Sequence, residues 1–163
     1  MKTVIPDVNV MLHRCFKIEG EEANREASYA LIKTAYAKKI KFVVPQLFWS
    51  EFATAMAQQS SVNREIFEAN FAFIQEMIDD RVLATANRTN RVLMRAFDIA
   101  RMEPNPGTSP ASYLDATYHA LAEDRDGTFV TADQKYIDKV AGRVDGVVHL
   151  QDAHNVLLAN GST

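Results

Sequence analysis

Short β-prone runs alternate with longer helical stretches along almost the whole chain, and this alternation is the feature that most restricts the fold. The β-prone runs predict strands at residues 3–5, 41–44, 81–85, 128–131 and 147–150. Helical signals predict one helix that ends near residue 14 and others at 21–39, 46–59, 63–79, 89–102, 109–125, 133–141 and 151–159. Strands separated by helices favour a parallel sheet covered on both faces. We therefore expect an α/β fold with three layers, α/β/α, around a central, mostly parallel sheet of about five strands.

The composition is that of an ordinary globular protein. The 163 residues are 47% hydrophobic and 24% charged, and 18 Lys and Arg against 21 Asp and Glu give a net charge of −3. This length predicts a single domain over residues 1–163, because domains span roughly 100–200 residues. The one cysteine, Cys15, has no internal disulfide partner, which favours a reduced, cytoplasmic protein.

No segment predicts a membrane span or a secretion signal. The longest apolar stretches, such as residues 42–49, are far shorter than the roughly 18 residues that a membrane helix needs, so we expect no membrane partner. A pI near 5.8 weighs against a surface that binds nucleic acid throughout, since sequence-independent binding to phosphates depends on Lys and Arg.

Four acidic residues are expected at one edge of the predicted sheet. Asp7 and Asp133 come just after the first and fourth strands. Glu51 lies early in the helix after the second strand, inside its apolar stripe. Asp115 lies early in a helix that runs back to the start of the fourth strand, so it begins beside that strand's carboxyl end. Functional groups collect beyond the carboxyl ends of parallel strands, so this edge is the candidate site.

The residue types at this edge indicate a metal. Buried acids repel one another unless cations or protons offset their charge. Carboxylate oxygens suit Mg²⁺ or Mn²⁺, which keep several waters and bind phosphate-bearing substrates, so the predicted chemistry is phosphoryl hydrolysis. Structural roles also stay open: helix capping for Asp7 or Asp133, a paired buried acid for Glu51, and a favourable charge at a helix start for Asp115.

Short motifs surround the four acids in a recognisable order. They are IPDVN at 5–9, VPQL at 44–47 with SEFA at 50–53, LDATYHALA at 114–122, and FVTADQK at 129–135. In this order they resemble landmarks of the PIN-domain nucleases: the opening Asp-x-Asn/Ser motif, a proline, helix and acidic residue, a third acidic site, and a closing Thr-x-Asp segment. The resemblance extends from residue 3 to about residue 150 and implies a PIN-like form of the three-layer fold.

The resemblance also implies roles for single residues. The acidic quartet that binds Mg²⁺ (or Mn²⁺) would be Asp7, Glu51, Asp115 and Asp133. Asn9 and Thr131 would be neutral partners that orient a carboxylate or a metal-bound water. The implied mechanism is in-line attack of that water on phosphorus, which leaves a 5′-phosphate product.

Single-domain PIN proteins of this size are typically toxins of VapBC-type toxin–antitoxin pairs. The resemblance therefore implies a metal-dependent endoribonuclease that is often a homodimer and is silenced by a small cognate antitoxin. Single-stranded or looped RNA is the expected substrate. Without the four acids of the quartet the charges sum to 18 − 17 = +1, so the mild acidity does not weigh against RNA.

Several residues near these motifs have two interpretations. Pro6 removes a strand donor just before the first acid, which departs from an ideal central strand. Residues 103–109 either shape access to Asp115 or form a plain surface connection. His119 either reaches the site or is a structural histidine, and Asp152 either joins the site or caps the last helix. We favour the structural alternative in each case.

The residues that could contact RNA or a protein partner also have two interpretations. Basic residues that either contact RNA or only face solvent are Arg14, Lys17, Arg88, Arg91, Arg95, Arg101 and Lys135. The helix at 63–79 has apolar residues over a broad arc, which either pack in the core or contact a second subunit or antitoxin. These residues are Phe67, Phe71, Phe73, Ile74, Met77 and Ile78.

Two other functions are compatible with the motifs. A PIN-like module that binds RNA or protein but is catalytically weak or inactive would keep both the fold and the acids. A phosphatase of the haloacid dehalogenase kind also begins with an Asp after its first strand, but it needs a second acid two positions on, where this chain has Asn9. A metal-dependent ribonuclease is therefore the first prediction, and the binding module is the second.

Overall fold

The computed structural model describes residues 2–38 and 40–159. Lys39, the predicted end of the second helix, lies outside these ranges. Among the described residues, no helix is long and apolar enough to cross a membrane. In chain order the elements are β1 (Thr3–Pro6), α1 (Val8–Cys15), α2 (Glu22–Lys38), β2 (Lys41–Pro45), α3 (Leu47–Gln58), α4 (Arg64–Asp79), β3 (Leu83–Ala86), α5 (Asn90–Arg101), α6 (Tyr113–Asp124), β4 (Thr128–Thr131), α7 (Gln134–Val140), β5 (Val147–His149) and α8 (Leu150–Ala159).

The strands form one sheet in the order β3-β2-β1-β4-β5, and every neighbouring pair is parallel. β1 is central, with Ile5 opposite Phe129 of β4 and Val4 opposite Phe42 of β2. The carboxyl ends of β1, β2 and β4 therefore lie side by side. This arrangement confirms the predicted sheet of five strands.

Pro6 ends the central strand without breaking its pairing with β4. Pro6 stands opposite Val130, and the N–H of the next residue, Asp7, donates to the Val130 carbonyl at 2.8 Å. The donor that proline lacks is thus missing only at the last strand position, where a sheet tolerates it. Hydrogen bonding to β4 resumes at the first acid of the candidate site.

Helices cover both faces of the sheet. α6 contacts β1, β2 and β4 and packs along α5, whereas α1 contacts β4 and packs against α2 and α3. α8 contacts α2, β4 and β5. Val4, Ile5 and Phe129 have no exposed surface, as expected for parallel strands between two helix layers. The predicted three-layer α/β/α fold is confirmed.

One helix begins later than its sequence signal suggested. Ser109 and Pro110 were expected to start the helix, but α6 begins at Tyr113 with Ser112 as its N-cap. The Ser112 hydroxyl accepts from the N–H of Asp115 at 3.1 Å and donates to the Asp115 carboxylate at 2.6 Å. Ser112 therefore has a partner that fixes the helix start, and residues 109–111 extend the preceding loop.

The last helix begins earlier than predicted. α8 starts at Leu150, so Asp152 lies within its first turn and is exposed. The expectation that Asp152 caps this helix is therefore wrong. The Nδ1 atom of His149 occupies that role, because it accepts from the N–H of Gln151 at 3.3 Å.

Candidate functional site

The four acids expected at one site lie at the carboxyl edge of the sheet. Asp7 directly follows β1, and Asp133 follows β4 after one intervening residue. Glu51 lies in the second turn of α3, which begins just after β2, and Asp115 lies in the first turn of α6. Since β1 has β2 and β4 as its neighbours, the fold brings all four acids to one side of the molecule.

Asp7 is the most enclosed of the four acids. Its side chain is 6% exposed, and its Oδ2 atom accepts from the Asn9 amide at 2.6 Å and from the Thr131 hydroxyl at 2.7 Å. Asn9 in turn accepts from the N–H of Ala132 at 3.0 Å, and the Thr131 oxygen accepts from the N–H of Asp133 at 3.0 Å. A network of fixed dipoles therefore ties the start of α1 to the end of β4.

The environment of Asp7 favours its neutral form. The pKa of this carboxyl is raised from 3.8 to about 7, chiefly by burial and also by the charges of Asp115 and Glu51, whereas the hydrogen bond from Thr131 lowers it. Asp7 therefore titrates near neutral pH in the metal-free protein. A cation at this edge would shift the balance back towards the carboxylate.

Glu51 is held by a buried tyrosine. The Tyr118 hydroxyl donates to Oε2 of Glu51 at 2.5 Å, and the Tyr118 side chain is only 1% exposed. Burial raises the pKa of Glu51, the Tyr118 hydrogen bond lowers it, and the charge of Asp115 raises it. Burial and the bond to Glu51 also raise the pKa of Tyr118, so its hydroxyl stays protonated and remains a donor.

Asp115 is held by its own helix cap. Ser112 donates to its carboxylate and accepts from its backbone N–H, so both groups of Asp115 have the same partner. Burial raises the pKa of Asp115, the Ser112 bond lowers it, the charge of Asp133 raises it, and the charge of Lys139 lowers it. Asp115 thus links Asp7 and Glu51 electrostatically to Asp133.

Asp133 and Asp7 have the same local position after a strand but different partners. Asp133 is a helix cap, because its Oδ1 accepts from the N–H groups of Lys135 at 2.9 Å and Tyr136 at 3.2 Å. Asp7 stands at the N-cap position of α1 yet makes no side-chain capping bond. Capping therefore accounts for one Oδ atom of Asp133 and does not account for Asp7.

Carboxylates are the donors that this edge offers to a cation. Within the two described ranges, no group of three or more His, Cys, Asp or Glu side chains is arranged so that it could hold a metal ion. Mg²⁺ is commonly bound through only one or two carboxylates and keeps several waters, so the ion that these acids would hold is a largely hydrated one. A cation also fits the raised pKa of Asp7, because its positive charge would offset both the cost of burying the carboxylate and the repulsion from Asp115 and Glu51.

Most of the candidate basic residues already have partners away from the acids. Arg95 forms a paired contact with Glu123 at 2.5 and 2.9 Å, and Arg91 pairs with Asp124 at 2.8 Å. The other partnered side chains are Arg14 over the rings of Tyr29 and Phe73, Lys17 with Glu22, and Arg101 over Phe97. Arg88 and Lys135 are exposed and make no ion pair or side-chain hydrogen bond with another described residue.

His119 and the loop at 103–109, which each had two interpretations from sequence, have structural roles. His119 is fully buried, with Nδ1 at 2.8 Å from the Tyr136 hydroxyl and Nε2 at 2.8 Å from the Asp145 carbonyl, so it is a core histidine. In the loop at 103–109, the Asn105 amide donates to the carbonyls of Asp138 and Ala141. That loop is therefore fastened to the end of α7 as a structural connection.

Three residues that bond to the acids or act on them through charge were missed from sequence. Tyr118 lies one turn after Asp115, inside the motif at 114–122, but nothing local shows that its hydroxyl reaches Glu51, 67 positions earlier. Ser112 precedes Asp115 at a capping interval, which is a usable local signal. Lys139, whose charge acts on Asp115, lies one helical turn after Lys135 on α7.

The chain resembles solved structures in fold, although no protein-family model and no curated protein matches its sequence. One is the crystal structure of PAE2754 from Pyrobaculum aerophilum, with a TM-score of 0.59 and 14% identity over 97% of this chain and 96% of that chain. The structure of FitAB bound to an IR36 DNA fragment has a TM-score of 0.60 and 12% identity over 91% of this chain and 95% of that chain. The crystal structure of FitAcB from Neisseria gonorrhoeae has a TM-score of 0.53 and 12% identity over 90% of this chain and 97% of that chain. These similarities show the fold, a parallel sheet of five strands between two layers of helices.

Proposed function

We propose that this chain is a divalent-metal-dependent endoribonuclease that hydrolyses phosphodiester bonds in RNA. The observation that carries the proposal is the buried Asp7 carboxylate, which is fixed by Asn9 and Thr131 and lies within the electrostatic reach of Asp115 and Glu51. Such a cluster is costly without a cation, and phosphate-bearing substrates are what a carboxylate-bound Mg²⁺ or Mn²⁺ commonly engages. The motifs around the acids resemble those of PIN-domain nucleases, and this resemblance supports nuclease activity.

Residues of this chain orient the acids, and the carboxyl group of Asp7 binds and releases a proton. Three acids have fixed partners: Asp7 with Asn9 and Thr131, Glu51 with Tyr118, and Asp115 with Ser112. Without a metal ion the pKa of Asp7 is about 7, so binding of the ion near neutral pH would release the proton from this carboxyl group. A bound Mg²⁺ or Mn²⁺ would supply Lewis-acid stabilisation of charge at the scissile phosphate and a more acidic water. The exposed Lys135 and the charge of Lys139 would attract the RNA backbone.

Cleavage of a labelled single-stranded RNA tests this proposal. We expect product with added Mg²⁺ or Mn²⁺, none in chelator, and a loss of at least about a hundred-fold in rate for Asp7→Asn, since a lost metal ligand removes several kcal/mol of transition-state stabilisation. Asp126→Asn is the matched control. Asp126 is exposed, precedes β4 at the opposite edge of the sheet, and has a positive φ of 49° that asparagine accepts.

Equal cleavage by the wild type and Asp7→Asn would contradict the proposed mechanism. Titration of Mg²⁺ into both proteins, followed by the thermal midpoint, gives a readout that does not depend on activity. We expect Mg²⁺ to raise the midpoint of the wild type and of Asp126→Asn, and to have little effect on Asp7→Asn.

A PIN-like module that binds RNA without turnover is the second candidate. It is favoured by one observation: the carboxylates of Glu51, Asp115 and Asp133 each have protein partners, and no three described acids are arranged to hold an ion. Binding and cleavage measured in the same sample separate the two functions. RNA binding without product at saturating Mg²⁺ or Mn²⁺ would favour the module.

We further propose that the protein is a toxin that a small antitoxin silences, as a homodimer and in the cytoplasm. The resemblance of the motifs to single-domain PIN-domain toxins supports such a partner. Core packing accounts for Ile74 and Met77 of α4, which are fully buried, but Phe71 remains 43% exposed. Met94 and Phe97, which are neighbours one turn apart on α5, are 62% and 51% exposed, and exposed apolar side chains that lie together are typical of interfaces.

Coexpression with the product of a short neighbouring reading frame tests the antitoxin. We expect the two chains to copurify and the complex to lose cleavage activity.

Light scattering of the chain alone tests the homodimer, and a monomeric mass at micromolar concentration would contradict that part of the proposal.

A further inference from the structure

A cavity of about 240 Å³ opens beside the acidic site, at the carboxyl ends of β2 and β3. We call it the Arg88 cavity. Its walls come from the ends of both strands and from α3, α5 and α6, and its main lining residues are Gln46, Leu47, Asn87, Arg88, Leu93 and Tyr113. The volume is below the roughly 300–1,000 Å³ of pockets for drug-sized ligands, so it suits a small group.

The lining combines apolar walls with polar groups that have no internal partner. Leu47 and Leu93 form part of the walls, and Tyr113 is 40% exposed at the cavity. The side-chain amides of Gln46 and Asn87 make no hydrogen bond to another residue within ranges 2–38 and 40–159. Apolar faces with donors and acceptors at the edge match the chemistry of a nucleobase, and aromatic side chains commonly stack unpaired bases.

The cavity shares one lining residue, Leu47, with the groove that contains Glu51. Leu47 lines the Arg88 cavity and also a groove beside Glu51, whose other wall includes Leu114. α6 presents Tyr113 and Thr117 to the cavity and Asp115 to the acids. One RNA strand that crosses α6 would therefore place neighbouring nucleotides at the acids and at the cavity.

Arg88 supplies a cation at the cavity mouth. It directly follows the β3–α5 connection residue Asn87, is exposed, and makes no ion pair with another residue in the described part of the chain. Arg91 and Arg95 on the following helix are occupied by Asp124 and Glu123, so Arg88 is the arginine of this region that is left to contact a phosphate.

The geometry points to the Arg88 cavity as a base-binding subsite that takes one unstacked nucleobase of the RNA strand beside the cleavage position, with Arg88 on the adjoining phosphate. This inference rests on the proposed ribonuclease function and adds a determinant of cleavage position. Gln46 and Asn87 then act as specificity residues, because their amides face the edge of the base.

An abasic scan tests the subsite directly. Fluorescence anisotropy in chelator measures binding of labelled single-stranded oligoadenylate, oligocytidylate and oligouridylate, and then of the best binder with one base removed at each position in turn. We expect one position at which base removal weakens binding about ten-fold, the size that a single stacked base commonly contributes. Leu93→Trp, which fills the cavity, is expected to weaken binding of the intact RNA similarly and to abolish the penalty at that position.

Exposed substitutions keep the test independent of folding. Asn87→Ala and Arg88→Ala change side chains at the cavity mouth, and Arg64→Ala, an exposed arginine at the start of α4, is the matched control. We expect Asn87→Ala to reduce the penalty for base removal, Arg88→Ala to weaken binding about equally for intact and abasic RNA, and Arg64→Ala to change neither. Thermal midpoints show whether Leu93→Trp is folded, and if it is not, Asn87→Ala decides.

The outcomes separate this inference from the ribonuclease proposal. A flat abasic profile with unchanged penalties in Asn87→Ala would overturn the subsite, while metal-dependent cleavage of the same RNA would leave the nuclease intact. Failure of the wild type both to bind and to cleave any of the three RNAs would overturn both.

Discussion

The carboxyl group of Asp7 lies in surroundings that stabilise its neutral form and penalise its charge. The side chain is 6% exposed, and burial raises its pKa from 3.8 to about 7, with Asp115 and Glu51 adding to the effect. Because the folded state binds this proton more tightly than the unfolded state, the contribution to stability is full below the unfolded pKa. It is lost as the pH rises through about 7. The metal-free protein therefore carries a destabilising charge at and above neutral pH.

We predict that Asp7→Asn stabilises the metal-free protein above neutral pH and has little effect below about pH 4. The asparagine oxygen still accepts from Asn9 and Thr131, but the charge is removed. The free-energy difference should grow by about 1.4 kcal/mol per pH unit between 3.8 and about 7, to an upper limit of about 4 kcal/mol. Denaturant unfolding of both proteins in chelator across this range measures it. Parallel stability curves would show that Asp7 does not titrate there.

Tyr118 is expected to position Glu51 and not to contact RNA, because it is 1% exposed. We predict that Tyr118→Phe keeps RNA binding within about two-fold but slows cleavage about ten-fold, the value of one lost charge-assisted hydrogen bond of roughly 1.5 kcal/mol. Since the Tyr118 bond lowers the pKa of Glu51, its loss should also move the acidic limb of the pH–rate profile to higher pH. KM, kcat and the pH profile are the measurements.

Tyr136→Phe is the control for this prediction. Tyr136 is another buried tyrosine, but its hydroxyl contacts His119 and no acid of the site. It should lose comparable stability while its pH profile keeps the wild-type acidic limb. An identical shift of that limb in both variants would indicate a general structural effect and would contradict a positioning role for Tyr118.

At the level of helices and strands, local patterns predicted the elements well and their contacts poorly. The five strands follow from β-prone runs, and the site edge follows from the parallel order of β1, β2 and β4. The start of α6 could not be predicted from local patterns, because Ser109-Pro110 is as good a local start signal as Ser112. Only the bonds of Ser112 to Asp115 decide between the two. Asp7 and Asp133 likewise look alike in sequence. The partner that distinguishes Asp7 is Thr131, 124 positions away.

Ser112→Ala should weaken the start of α6. The substitution removes an N-cap worth about 1 kcal/mol and frees the Asp115 carboxylate from its donor. We predict a thermal midpoint lower by about 2–4 °C for a domain of this size. Ser109→Ala is the matched control, because Ser109 is exposed and outside the helix, and its midpoint should stay within about 1 °C. Equal midpoints for both variants would contradict the assignment of Ser112 as the cap.

On the side of the molecule that contains the acids and the Arg88 cavity, few basic residues are left to contact RNA. The chain has 18 basic and 21 acidic residues, and its net charge of −3 gives no long-range attraction to a polyanion. Arg91 and Arg95 bind Asp124 and Glu123 and thereby fasten α5 to α6. Near the acids this leaves Arg88, Lys135 and Lys139, which make no ion pair with another residue in the described ranges. Recognition must then depend on a small number of local contacts.

This distribution predicts a weak salt dependence of RNA binding. With about three phosphates neutralised and a slope of about −0.7 per phosphate for single strands, log K should fall with log salt at a slope of about −2. Arg88→Ala should reduce the slope by about 0.7, whereas Arg64→Ala should leave it unchanged. Anisotropy titrations at several salt concentrations, in chelator, measure these slopes. A slope of about −4 or steeper would require a broad basic surface, which the ion-paired arginines of α5 do not provide, and would show that RNA binds elsewhere or to an oligomer.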